Sequence, residues 1–123
     1  MTVKELYESI GGNYESALRV LMSDQLIARF IVKFLQDKSC ERLLSAQDAH
    51  DPAALFESAH AMKGVCANLG LDNLSRQASD IAEQFRPGST RTMSDAELSE
   101  RIAAIRSDYE RSVESIRRFA GEQ

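Results

Sequence analysis

Apolar residues in this chain recur at spacings of three and four and do not alternate. Leu55, Ala59, Met62, Cys66 and Leu69 are separated by four, three, four and three residues. On a helix that turns about 100° per residue, such a set forms one continuous seam. The same rhythm returns in Ile27, Phe30, Ile31, Phe34 and Leu35, in Leu74, Ala78, Ile81 and Phe85, and in Leu98, Ile102, Ile105, Tyr109, Val113 and Ile116. No stretch shows the period of two that a half-buried strand needs. Two prolines and six glycines leave few interruptions for long helices. The expected fold is all-α: an antiparallel four-helix bundle of amphipathic helices joined by short turns, with additional short helices at the N-terminus.

Start and stop signals divide the chain. Thr2 and Glu5 have the spacing of a capping box, opening a short helix with Val3, Leu6 and Ile10 that Gly11-Gly12 breaks. Tyr14, Ala17, Leu18 and Leu21 continue on a second short helix, and Ser23 caps the next. Lys38-Ser39 interrupts or bends that helix, after which Leu43, Leu44 and Gln47 carry a helix to about His50. Asp51-Pro52 is a start signal, with Asp at the cap and Pro in the first turn. Gly70 ends the segment and Asp72 opens another. Residues 86–91, Arg-Pro-Gly-Ser-Thr-Arg, form a loop, and Ser94 with Glu97 has the spacing of a second capping box. Glu100, Arg101, Arg106, Glu110 and Arg111 give the last helix a solvated outer face. One domain is expected over residues 1–123, with 1–22 an N-terminal helical extension and 23–120 the bundle core.

Composition and charge exclude several classes. A chain 43% hydrophobic and 28% charged has enough apolar material for a packed core. The net charge of -4 argues against a nucleic-acid partner, which requires a basic field. No apolar run approaches the roughly 20 residues of a membrane span, and the N-terminus lacks a secretion signal. A cytoplasmic protein with no membrane partner is expected. Cys66 lies on the seam, Cys40 near a helix start where half-burial is expected, and both have structural roles. No metal is expected, because two cysteines and two distant histidines lack ligand spacing. His50 reads as a surface residue at the negative end of a helix.

His60 is different. It is followed by Lys63 and Gly64, and on a helix all three share one side. That side projects roughly 140° from the seam, toward water. Ala53, Phe56 and Ala67 lie on or beside the same side, so the outward surface is unusually small and apolar and suits docking. A lone histidine on a helix is ordinarily a solvated residue without chemistry. Gly64 argues against that here, because glycine inside a helix costs about 1 kcal/mol relative to alanine. Placed one turn above an outward imidazole, it leaves room for a visitor. A nucleophilic imidazole, an adjacent cation and clear access are what moving a phosphoryl group through a histidine requires.

With these residues in place, the chain resembles the histidine-containing phosphotransfer (HPt) domain of phosphorelays. That family's pattern is His, any residue, an aliphatic, Lys and Gly, then small residues and a closing aliphatic-Gly pair. Here it reads His60-Ala61-Met62-Lys63-Gly64 and Leu69-Gly70, and the likeness covers about residues 24 to 118. Val65 and Cys66 depart from the small residues usual after Lys-Gly, a difference expected to alter packing rather than chemistry. The resemblance implies that His60 is the phosphorylated histidine, that Lys63 lies beside the phosphoryl group and that Gly64 gives the partner access. It implies, as partners, receiver domains of response regulators or hybrid histidine kinases, and that the receiver brings the metal.

Neither a glycine-rich phosphate loop nor an acidic cluster for Mg²⁺ is present in the sequence, so no cofactor and no use of ATP are expected. The chain is expected to be a monomeric phosphocarrier rather than an enzyme. Three rival classes make different demands. A sensor-kinase dimerisation domain needs a following ATP-binding domain, and a metal-binding bundle needs inward-facing carboxylates and histidines. A helical adaptor that binds receiver or kinase domains without being phosphorylated could dispense with the histidine, which is present.

Overall fold

The computed structural model describes residues 1–122. Among the described residues, seven α-helices follow one another: α1 (Val3–Ile10), α2 (Tyr14–Leu21), α3 (Asp24–Lys33), α4 (Ser39–Asp48), α5 (Pro52–Asn68), α6 (Asp72–Phe85) and α7 (Asp95–Gly121). Helices α4 to α7 form the antiparallel bundle. Helix α5 packs against α4 and α6, while α7 closes the far side against α6, α4, α3 and α1. Leu55, Ala59, Met62, Cys66 and Leu69 are all buried, as are Leu74, Ala78 and Ile81 of α6 and Ile102, Ile105 and Ile116 of α7.

Most helix starts have a side-chain cap. Thr2 and Glu5 make the reciprocal box, Asn13 accepts from Ser16 N, Ser23 from Leu26 N and Asp51 from Ala54 N. Three local expectations are corrected. Ser94 accepts from Glu97 N, but the return bond of a capping box is not made; the Glu97 carboxylate lies 3.6 Å from Arg101 instead. Asp72 opens α6 as its first residue, as expected, and its carboxylate accepts from Asn13 Nδ2 at 3.0 Å. Helix α4 stops at Asp48, and His50 sits beyond it in a left-handed turn, φ 52°. Cys40 is 1% exposed, buried rather than half-buried, because the first turn of α4 faces inward.

Between α3 and α4 the chain makes a full break. One 3-10 turn, Phe34–Gln36, is followed by extended Asp37, whose carboxylate accepts from the amide and hydroxyl of Ser39. Phe34 is buried against Tyr109, ring centroids 5.8 Å apart, while Phe30 of the same stripe stays 39% exposed.

The two N-terminal helices share the bundle's core. Leu6, Tyr7 and Ala17 are fully buried. Tyr7 Oη donates to the Leu69 carbonyl at 2.6 Å, and Asn13 N donates to the Gly70 carbonyl at 2.7 Å. Gly70 has φ +71°, and a Cβ there would run into the Asn13 carbonyl. The turn that ends α5 is therefore built against the turn between α1 and α2.

Candidate functional site on the outer face of helix α5

Pro52–Asn68 places His60 at the centre of a 17-residue helix. The seam on the opposite side is buried against α4 and α6, which leaves His60 exposed. Gly64, one turn on, is also exposed, and a Cβ built there meets nothing within 4 Å. The space over that side of the helix is open. Ala53 and Ala67 are exposed, and Phe56 and Lys63 are half-buried. All six residues singled out in the sequence thus lie where the helical angle puts them.

Contacts hold the imidazole without enclosing it. The Phe56 ring stacks on it, centroids 5.5 Å apart and 22° from parallel. Lys63 takes part in none of the ion pairs among the described residues, so its charge is available to an incoming anion. Its carbonyl accepts from Ser75 Oγ at 3.0 Å, tying α5 to α6 at this level. Val65 is half-buried and Cys66 fully buried, so both departures from the family pattern sit on the packed side.

Sequence reasoning missed two neighbours, both from α6 and its end. Arg86 lies with its guanidinium 5.6 Å from the centre of the Phe56 ring, on the ring that stacks on His60. Glu83 pairs with Arg86 at 2.6 Å and 3.3 Å. Those hydrogen bonds hold the Glu83 carboxyl below its ordinary range, with smaller pulls from the charges of Arg86 and Lys63. The sequence placed Arg86 only at the start of the loop 86–91. Its place beside Phe56 depends on the pairing of two helices, which no spacing within α5 reveals.

On the flank of α5 that carries Val65 and Asn68, a crevice of about 590 Å³ is lined by Val20, Leu21, Phe30, Phe34 and Leu69. Val20 is 51% exposed there. Among the described residues, no group of three or more His, Cys, Asp or Glu side chains could hold a metal ion. No described helix is long and apolar enough to cross a membrane.

This arrangement is an exposed imidazole midway along a bundle helix, with a lysine and an open glycine one turn on. The family model of the Hpt domain matches residues 25–115. The chain belongs to the Hpt domain family. Hpt domains are phosphocarriers in phosphorelays, not kinases, and they interact with receiver domains. The Hpt match begins on α3 and ends on α7, so α1 and α2 lie outside it although they share its core. No curated protein and no solved structure matches the chain.

Proposed function

We propose that this protein carries a phosphoryl group on His60, receiving it from, or giving it to, the aspartate of a receiver domain. One observation carries the reading: the exposed imidazole of α5 has open space over Gly64 and the unpaired ammonium of Lys63 one turn away. A neutral ring nitrogen of His60 attacks phosphorus, and the bond between phosphorus and the aspartyl oxygen breaks. Its electron pair stays on the departing carboxylate, and the other ring nitrogen retains its proton. Transfer of this kind needs in-line positioning and stabilised oxygens more than covalent assistance. Phe56 positions the ring, and Lys63 offsets charge on the equatorial oxygens. Ala53, Phe56 and Ala67 supply docking ground close to the reacting nitrogen. The protein contributes no nucleotide site to this step, and the receiver supplies any metal.

The test is incubation with a panel of receiver domains phosphorylated by acetyl phosphate. The expected result is acid-labile, alkali-stable phosphate on the parent protein and none on His60→Gln. An exposed polar replacement changes stability by about 0.5 kcal/mol or less, so the variant should melt like the parent. Labelling of His60→Gln would move the acceptor elsewhere, His50 being the other histidine. Binding of receivers without any labelling would favour the adaptor reading.

A further inference from the structure

The described ion pair beside the candidate histidine joins Glu83 and Arg86, both on the α6 side of the site. Arg86 and His60 share the Phe56 ring as a neighbour, the guanidinium 5.6 Å and the imidazole 5.5 Å from its centroid. Glu83 grips that guanidinium by two of its nitrogens. Both side chains remain near half exposed, 53% for Glu83 and 44% for Arg86, so the pair is solvated and weak as a fold-stabilising contact. Its position is what sets it apart. A carboxylate near an imidazole and a lysine faces no conflict while the histidine is unmodified. A phosphoryl group brings roughly two negative charges to the same place.

We propose that Glu83 and Arg86 form a charge trim on the phosphorylated histidine: Glu83 favours departure of the phosphoryl group, and Arg86 favours its retention. The inference rests on the phosphocarrier reading of His60 and goes beyond it by assigning opposed roles to one residue of α6 and the residue that follows its end. Neither touches the reacting atoms in the resting protein, so both act on the equilibrium through their fields. Packed helices lie about 8–10 Å apart. A unit charge acting across that distance on a doubly charged group in a water-like medium shifts an equilibrium about three- to fivefold at low salt. A relay carrier must both accept and release its cargo. An opposed pair at this distance tunes that balance without obstructing the approach over Gly64.

Phosphoramidate provides a test that needs no partner. The neutral histidine nitrogen attacks the phosphorus of the donor in its nitrogen-protonated form, the phosphorus–nitrogen bond breaks, and its electron pair leaves on neutral ammonia. The readout is the steady-state ratio of phosphorylated to free protein, followed by phosphorus NMR, with helical melts run alongside. Glu83→Gln should raise the ratio about three- to fivefold, and Arg86→Gln should lower it by a similar factor. The double variant should return close to the parent, and all differences should shrink in 1 M salt. A merely structural role would lower the ratio in both single variants and would not respond to salt. If the parent is labelled at His60 but Glu83→Gln matches it or falls below it, the charge trim is wrong while the carrier reading stands. If the parent takes no label at His60, the carrier reading fails and this inference with it.

Discussion

Gly64 is where a single missing side chain has two separable consequences. It lies inside α5, where glycine costs about 1 kcal/mol relative to alanine. Because a Cβ there meets nothing within 4 Å, Gly64→Ala should stabilise the protein by up to about 1 kcal/mol, read from a urea or thermal melt. Gly64→Gln should fold at least as well as the parent, yet hold a partner's aspartyl phosphate away from His60. A misplacement near 1 Å can cost about 100-fold in rate, so transfer from a phosphorylated receiver should slow by that order. Transfer at the parent rate would show that the glycine is not an access device. His60, Lys63 and Gly64 were legible in the sequence because one helix and one angular rule place all three. Glu83 and Arg86 were not, since their neighbourhood arises from α6 packing on α5 and from the Phe56 ring bridging the two.

Between elements, the turn joining α5 to α6 is built directly against the turn between α1 and α2. Gly70 combines φ +71° with a position where any side chain would strike the Asn13 carbonyl, and Ala17 packs close by. Gly70→Ala should therefore cost about 2–4 kcal/mol, combining left-handed strain of roughly 1–2 kcal/mol with the displaced contact. Loss of the Asn13 N to Gly70 O bond and of the Tyr7 to Leu69 bond should loosen α1 and α2 first. Hydrogen exchange read helix by helix should show that order; a melt within 0.5 kcal/mol of the parent would contradict it. Helix starts were mostly legible, since Thr2, Ser23, Asp51 and Ser94 announce themselves by type and position. Ends were less so. Met22 and His50 adopt φ 75° and 52° without being glycine, so the usual stop signal is absent at both. The Asp37–Ser39 break looked in the sequence like either a bend or an interruption, because its outcome rests on an Asp37 carboxylate capping α4 through Ser39.

At the scale of the whole molecule, one core runs from Val3 on α1 to Phe119 on α7, past both limits of the Hpt match. Its two cysteines make the core's integrity measurable by pH. Cys40 is 1% exposed and Cys66 is fully buried, and both are free thiols. Burial pushes the Cys40 thiol up to about 11 and the Cys66 thiol up to about 12, from an ordinary value of 9.0. Below pH 9 both thiols are neutral whether the chain is folded or not, and their contribution to stability is fully present. Above pH 9 the unfolded chain releases those protons while the folded chain keeps them. Unfolding is then favoured by up to about 1.4 kcal/mol per thiol at pH 10, and stability continues to fall as pH rises through the folded values. The Tyr7 phenol, raised further by its own burial, adds to the decline only above its ordinary value of 10.0. Between pH 8.5 and 10 the parent's melting temperature should drop by several degrees more than that of Cys40→Ala/Cys66→Ala. The double variant should start lower at neutral pH, because removing two buried sulfur atoms leaves small cavities. Its curve should nevertheless run flatter across that window. Parallel curves would mean that the thiols ionise without unfolding the chain, and that the seam around Cys66 opens to water more readily than its complete burial implies.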